Sequence, residues 1–163
     1  MPGLIGKISK GKGFGGVIKY ALDEEHDPEI IGGTMVGYDV RTLTSEFKAS
    51  RQLRPEIKKP VYHTALSFGK NKEISNEFMK AVGDDWLKLM NWDIDKTQAV
   101  YIRHNDKDHA HFHLIASRIQ LDGNLISDRW DYSRNQVVCR FLESKYELEP
   151  GELTASEPNQ KTI

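Results

Sequence analysis

The sequence predicts an α+β fold, with a mostly antiparallel central β-sheet flanked by helices in a two-layer or three-layer sandwich. Three observations predict it. Runs of strand-type residues alternate with segments whose apolar residues recur at helical spacing. Two consecutive strands, residues 98–103 and 112–120, flank the polar segment 105–108 and so form a hairpin. The resulting order, β-α-β-α-β-α-β-β-β-α, sets strands in succession instead of continuing a strand-helix alternation.

Each element has its own signal. Residues 4–8 form a short first strand. Gly11-Lys-Gly-Phe-Gly-Gly16 then leads into a helix whose Phe14, Val17, Ile18, Ala21 and Leu22 make an i, i+3, i+4, i+7, i+8 apolar stripe. At about 100° per residue, Tyr20 falls roughly 130° from the centre of that stripe, beside Lys19, and is not one of the helix's core residues. The glycines before it allow a backbone or a phosphate to approach closely. Residues 23–29 are acidic and turn-like, 30–36 form a second strand, and a helix over 42–53 is stopped by Pro55. Residues 61–68 alternate as a strand. Ser75 begins a helix with Ile74, Phe78, Val82, Trp86 and Leu89 on its core face, which makes Trp86 a packing residue. After the hairpin, Asp122-Gly123 turns the chain into a strand over 124–127. Ser133-Arg-Asn-Gln136 is a capping box for a last helix through Val137, Val138, Phe141 and Leu142. A single domain spans 1–148, and 149–163 form an acidic tail or the start of a C-terminal extension.

Composition narrows the class. A chain of 163 residues, 38% apolar, builds one core without staples. Its one cysteine, Cys139, excludes an intramolecular disulfide or a cysteine zinc cluster and is assigned to packing. There is no apolar run near the roughly 20 residues that span a bilayer, and no signal-peptide core, so a cytoplasmic protein without a membrane partner is expected. The net charge of −1 hides segregation. Residues 1–20 carry four lysines and no acid, residues 41–59 sum to +4, and residues 147–163 to −3. Basic segments of this kind suit a phosphate backbone and also a solvated helix face.

Four of the six histidines fall within ten residues, His104, His109, His111 and His113. In a strand, His111 and His113 share a face with α-carbons roughly 6.6 Å apart, a separation suited to two ligands of one ion. His109 would lie about 13 Å from His113, too far for both to reach a metal at about 2.1 Å. His104, across the turn and diagonal to His111, is within reach, so the metal triad is His104, His111 and His113. Two other readings fit the same residues. They could be hairpin histidines without a ligand, or the alternating set of a histidine-triad nucleotide hydrolase, in which the middle histidine attacks phosphorus without a metal.

Three segments together, Lys7 to Tyr20, Lys58-Lys-Pro-Val-Tyr-His-Thr-Ala-Leu-Ser-Phe68 and Arg103-His-Asn-Asp-Lys-Asp-His-Ala-His-Phe-His113, resemble the relaxase, or mobilisation nuclease, family of HUH endonucleases. The similarity spans roughly residues 3–146 and is nearest to relaxases with one catalytic tyrosine. It implies a palm-like HUH sheet, Tyr20 as nucleophile, and His104, His111 and His113 as ligands of Mn²⁺ or Mg²⁺, with Zn, Co or Ni substituting in vitro. Asp106 matches the acidic position of the histidine motif, where it would orient a ligand or the loop. Asn is common near Ser117 and Pro at Ala110 in the family; neither departure touches a ligand. The implied reaction is transesterification on single-stranded or hairpin DNA at an origin of transfer, such as a plasmid carries. The phenol attacks phosphorus, the 3′-hydroxyl leaves, and reversal rejoins the strand. His109, His63 and Asp106 are candidates for the general base. Lys7, Lys10, Lys12, Lys19, Arg51, Arg54, Lys58 and Lys59 are candidate phosphate contacts. Auxiliary mobilisation proteins and a coupling protein are the implied partners in conjugation. A catalytically silent origin-binding module is the remaining alternative.

Overall fold

The computed structural model describes residues 3–69 and 73–149. Five strands, β1 (Ile5–Gly11), β2 (Pro28–Gly33), β3 (Val61–Ser67), β4 (Ala99–His104) and β5 (His111–Ser117), form one sheet. Their order is β1-β3-β5-β4-β2, and every neighbouring pair is antiparallel. The helices are α1 (Phe14–Ala21), α2 (Val40–Arg51), α3 (Asn76–Leu89) and α4 (Asp131–Lys145), with single 3-10 turns at Glu24–His26 and Ile94–Lys96. This is the expected α+β architecture, in three layers.

Side-chain alternation builds a core on each face of the sheet. Val61, Val100, Ile102 and Ile115 face α1 and α2, where Phe14 stacks on Phe47 at 4.1 Å between ring centroids. Tyr62, Leu66, Tyr101, Phe112 and Leu114 face α3 and α4, packing with Val82, Trp86, Val138 and Leu142. Cys139 lies in this second core, fully screened from solvent, and burial pushes its thiol up to about 12. The α1–α2 layer packs over β5 and over Val61 at one end of β3, and leaves the Lys7 and Ser67 end of the β1–β3 pair more open. Lys7 and Ser9 stand exposed there beside half-buried Ala65 and Ser67.

Several elements differ from expectation. The second strand is Pro28–Gly33, not 30–36. Pairing with β4 sets its register from Pro28 opposite His104, and Gly33, at φ 112°, turns the chain out of the sheet. Residues 124–127 form no strand. The Asp122-Gly123 turn exists, with Gly123 at φ 87°, but it closes only an isolated bridge between Ile119 and Leu125. The buried face of α3 runs through Met79, Val82, Gly83, Trp86 and Leu87, and Leu89 is 42% exposed. By helical geometry Leu89 lies about 90° from the centre of that stripe. The last helix begins at Asp131, so Ser133 sits inside it and does not cap it. The Asp131 carboxylate is drawn to Lys10 Nζ at 3.0 Å and accepts from the Tyr62 hydroxyl at 3.0 Å, which anchors the helix start three residues earlier, with Trp130 in the cap position. Residues 150–163, nearly all of the expected tail, lie outside the described residues.

Candidate metal and nucleophile site

Pairing between β4 and β5 sets His104 directly opposite His111, and Ile102 opposite His113. Alternation then points His104, His111 and His113 to the α1 side of the sheet, at the end where the hairpin turns. The three are 3%, 5% and 6% exposed, and one nitrogen from each lies within 4.8 Å of the others.

Hydrogen bonds fix which nitrogen each ring offers. His104 donates from Nε2 to the Ala21 carbonyl at 2.8 Å, an acceptor left over at the C-terminus of α1, so its lone pair is on Nδ1. His111 donates from Nδ1 to the His109 carbonyl at 3.2 Å, leaving Nε2 free. His113 Nδ1 meets His63 Nε2 at 2.7 Å, and His63 Nδ1 meets Ser9 Oγ at 3.3 Å. With Nδ1–H of His113 as donor, its Nε2 also carries a lone pair. Desolvation lowers the pKa of all three, His113 furthest, where neighbouring imidazoles add to the effect. Neutral, pre-oriented imidazoles with their second nitrogens bonded are what a divalent cation with nitrogen affinity requires, so this donor set fits such an ion.

Tyr20 occupies the last turn of α1 and is 50% exposed. Its ring centroid lies 5.9 Å from that of His113 and 6.1 Å from that of His104. The apolar stripe of α1 thus packs on the sheet while Tyr20, off the stripe, overhangs the histidines. A cavity of about 340 Å³ opens here, with Tyr20 and the triad on one side and Lys7, Ala65, Ser67 and Gly69 on the other.

The other expected site residues are placed as follows. Asp106 lines the cavity, with Oδ1 3.9 Å from His111 Nε2 and Oδ2 2.9 Å from His26 Nδ1. The bond from His26 holds its carboxyl below the usual range. His109 lies at the mouth, its side chain 40% exposed. His63 sits behind His113, away from the cavity wall, and burial lowers it to about 4. Lys7 lines the cavity and Lys19 is exposed on the same helix turn as Tyr20. Lys12, Lys58 and Lys59 are exposed past the opposite end of β1 and β3, roughly 20 Å from His111 by strand rise. Lys10, by contrast, is engaged with Asp128 and Asp131. Arg51 bonds the Arg54 carbonyl, and Arg54 bonds Glu56 and the Gly123 carbonyl.

Sequence reasoning missed His26. Its ring lies parallel to His104, 4.5 Å away and inclined by 5°, and 4.9 Å from Tyr20. The available signal was that it is one of only six histidines and closely follows Tyr20. All six imidazoles form one chain of contacts: His26 to His104, His104 to His111 and His113, His113 to His63, and His111 to His109.

Among the described residues no helix is long and apolar enough to cross a membrane. Comparison with protein families matches residues 20–148 to the nuclease domain described as "Relaxase: MobA/VirD2-like". No curated protein and no solved structure matched.

Proposed function

Because the chain belongs to the relaxase family, through its MobA/VirD2-like nuclease domain, we propose that it nicks single-stranded DNA at an origin of transfer and joins itself to the 5′-phosphate through Tyr20. One observation carries the reading: a half-exposed phenol in ring contact with two members of a buried imidazole triad, at the edge of an open cavity. Tyr20 Oη forms a bond to the scissile phosphorus while the bond to the 3′ oxygen breaks, and that oxygen leaves as a hydroxyl. The phosphotyrosine ester retains the energy of the broken linkage, so the reverse reaction rejoins the strand without ATP.

His104, His111 and His113 would hold the divalent ion. Bound there, it would neutralise charge on a phosphate oxygen and align the target. Mn²⁺ or Mg²⁺ is the proposed working ion; three neutral imidazoles also accept Zn, Co or Ni. His63, bonded to the outer nitrogen of His113, orients that ring. Lys7 and Lys19 flank the cavity and tyrosine and would receive the phosphates nearest the nick, with Lys12, Lys58 and Lys59 past the far end of β1 and β3. Lys10, Arg51 and Arg54 already have protein partners and serve the fold in this reading. Action on an origin places the protein in the cytoplasm with mobile-element DNA, auxiliary mobilisation proteins and a coupling protein.

The test uses labelled single strands tiled across the DNA adjoining the gene, incubated with protein and Mn²⁺ and resolved under denaturing conditions. A labelled protein band that is lost with EDTA and with Tyr20→Phe is expected. An adduct that survives Tyr20→Phe would move the nucleophile elsewhere. No adduct despite metal bound at the triad would overturn the nicking reading.

A further inference from the structure

His26 ends the 3-10 turn that follows α1, and it is tied to the histidine hairpin by backbone and side chain alike. The Asn105 backbone N–H donates to the His26 and Asp27 carbonyls at 3.1 and 3.2 Å, and the Asn105 amide donates to Asp27 as well. The imidazole gives its Nδ1–H to Asp106 Oδ2 at 2.9 Å. With Nδ1–H given to the Asp106 carboxylate, Nε2 is the ring nitrogen through which His26 can accept a proton. Nε2 is buried and makes no hydrogen bond; the nearest carboxylate oxygen, from Glu25, is 3.7 Å away. The ring is in contact with Tyr20 and forms part of the cavity wall.

A buried acceptor nitrogen, on a ring oriented by a carboxylate and packed 4.9 Å from the phenol ring, supplies the base and orienter of an activated hydroxyl, with the bond to the Tyr20 hydroxyl still to be made. The other candidates are placed differently. His63 has both nitrogens bonded, to Ser9 and His113, and Asp106 gives Oδ2 to His26 while its Oδ1 lies 3.9 Å from His111 Nε2, on the triad. His109 stands at the exposed mouth, in ring contact with His111.

We infer that His26 Nε2 accepts the proton of the Tyr20 hydroxyl, and that Asp106 is the positioning residue that holds His26 for this step. The inference rests on the relaxase reading above. As Tyr20 Oη bonds to phosphorus and the phosphorus–O3′ bond breaks, the phenolic proton passes to His26 Nε2, and the departing 3′ oxygen takes a proton from water. On rejoining, the 3′-hydroxyl attacks phosphorus, loses its proton to water, and the tyrosine oxygen leaves and recovers its proton from His26.

The test measures single-turnover adduct formation at saturating strand and Mn²⁺ for the parent, His26→Ala and His26→Gln, with Mn²⁺ and DNA affinities by calorimetry. Loss of a general base predicts both variants slower by about 10² to 10³, with Mn²⁺ and DNA affinities within about threefold of the parent. Placing a fluorinated tyrosine at position 20, whose phenol is more acidic, should recover about tenfold or more in His26→Ala and little in the parent. A rate within about threefold of the parent overturns the inference, as does a loss matched by lost Mn²⁺ affinity or one that fluorotyrosine fails to recover. Each of those outcomes leaves the relaxase reading standing. A parent protein that forms no adduct with any strand while binding Mn²⁺ overturns that reading and the proton transfer with it.

Discussion

At the residue scale, burial that keeps the imidazoles neutral also makes the metal-free protein acid-sensitive. His63 titrates near 4 in the fold against 6.5 when unperturbed, and His113 is lowered further, in both cases chiefly by desolvation. The unfolded chain therefore takes up protons first as pH falls. Stability is full above pH 6.5 and is lost progressively toward pH 4, at up to about 1.4 kcal/mol per pH unit for each histidine. Thermal melts in EDTA should show this slope, and His63→Gln should flatten it; a flat parent profile over that window would refute it. The triad was legible in the sequence because alternation and a seven-residue spacing are local properties. His26 was not, since it meets Asp106 across 80 residues of chain that only the β2–β4 pairing brings together.

At the element scale, β1 sorts its lysines by direction. Lys7 points to the open face and the cavity, whereas the Lys10 ammonium reaches Asp128 and Asp131 at the start of α4. Lys7→Ala should lower the salt slope of single-strand binding by about 0.7, the value of one phosphate contact. Lys10→Ala should leave the slope unchanged and destabilise the fold by about 1 to 3 kcal/mol, because buried Asp131 loses its ammonium partner and keeps the Tyr62 hydroxyl. Salt titrations and denaturant melts separate the two; a changed slope for Lys10→Ala would return it to the DNA surface. The same ion pair explains why the Ser133-Gln136 signal misplaced the helix start. A capping box is a local preference, and a tertiary carboxylate–ammonium contact outweighed it. The stripe of α1 was largely legible: Phe14, Ile18 and Ala21 are buried as its spacing requires, and Val17 and Leu22 are partly buried against the same core, Leu22 just past the helix end. The start of α2 was offset by two residues, because Asp39 and Thr42 cap each other.

At the scale of the whole molecule, the reading of strand-type and helix-type segments carried the fold class, but the sheet order did not follow from it. β1 pairs with β3 and β2 with β4 across intervening helices, and no local pattern encodes those partners. That order brings the C-terminus of α1 over the hairpin and leaves the Lys7 and Ser67 end of the β1–β3 pair more open beside it. With an ion on His104, the Ala21–His104 bond would couple metal occupancy to the docking of α1 and so to global stability. At Mn²⁺ about 100-fold above its Kd, the fold should gain about 2.7 kcal/mol, roughly a 5 to 10 °C rise in Tm. Thermal shift should show the rise in the parent and not in His104→Ala; equal shifts in both would place the ion elsewhere.

The concentration of every imidazole into one contiguous chain has a spectroscopic consequence. A sample isotopically labelled at histidine alone would display six ring environments, all belonging to one connected cluster and none to a bystander. Each ring has a distinct neighbour, so magnetic-resonance shifts would tell cation loading, strand arrival and covalent capture apart within a single sparse spectrum.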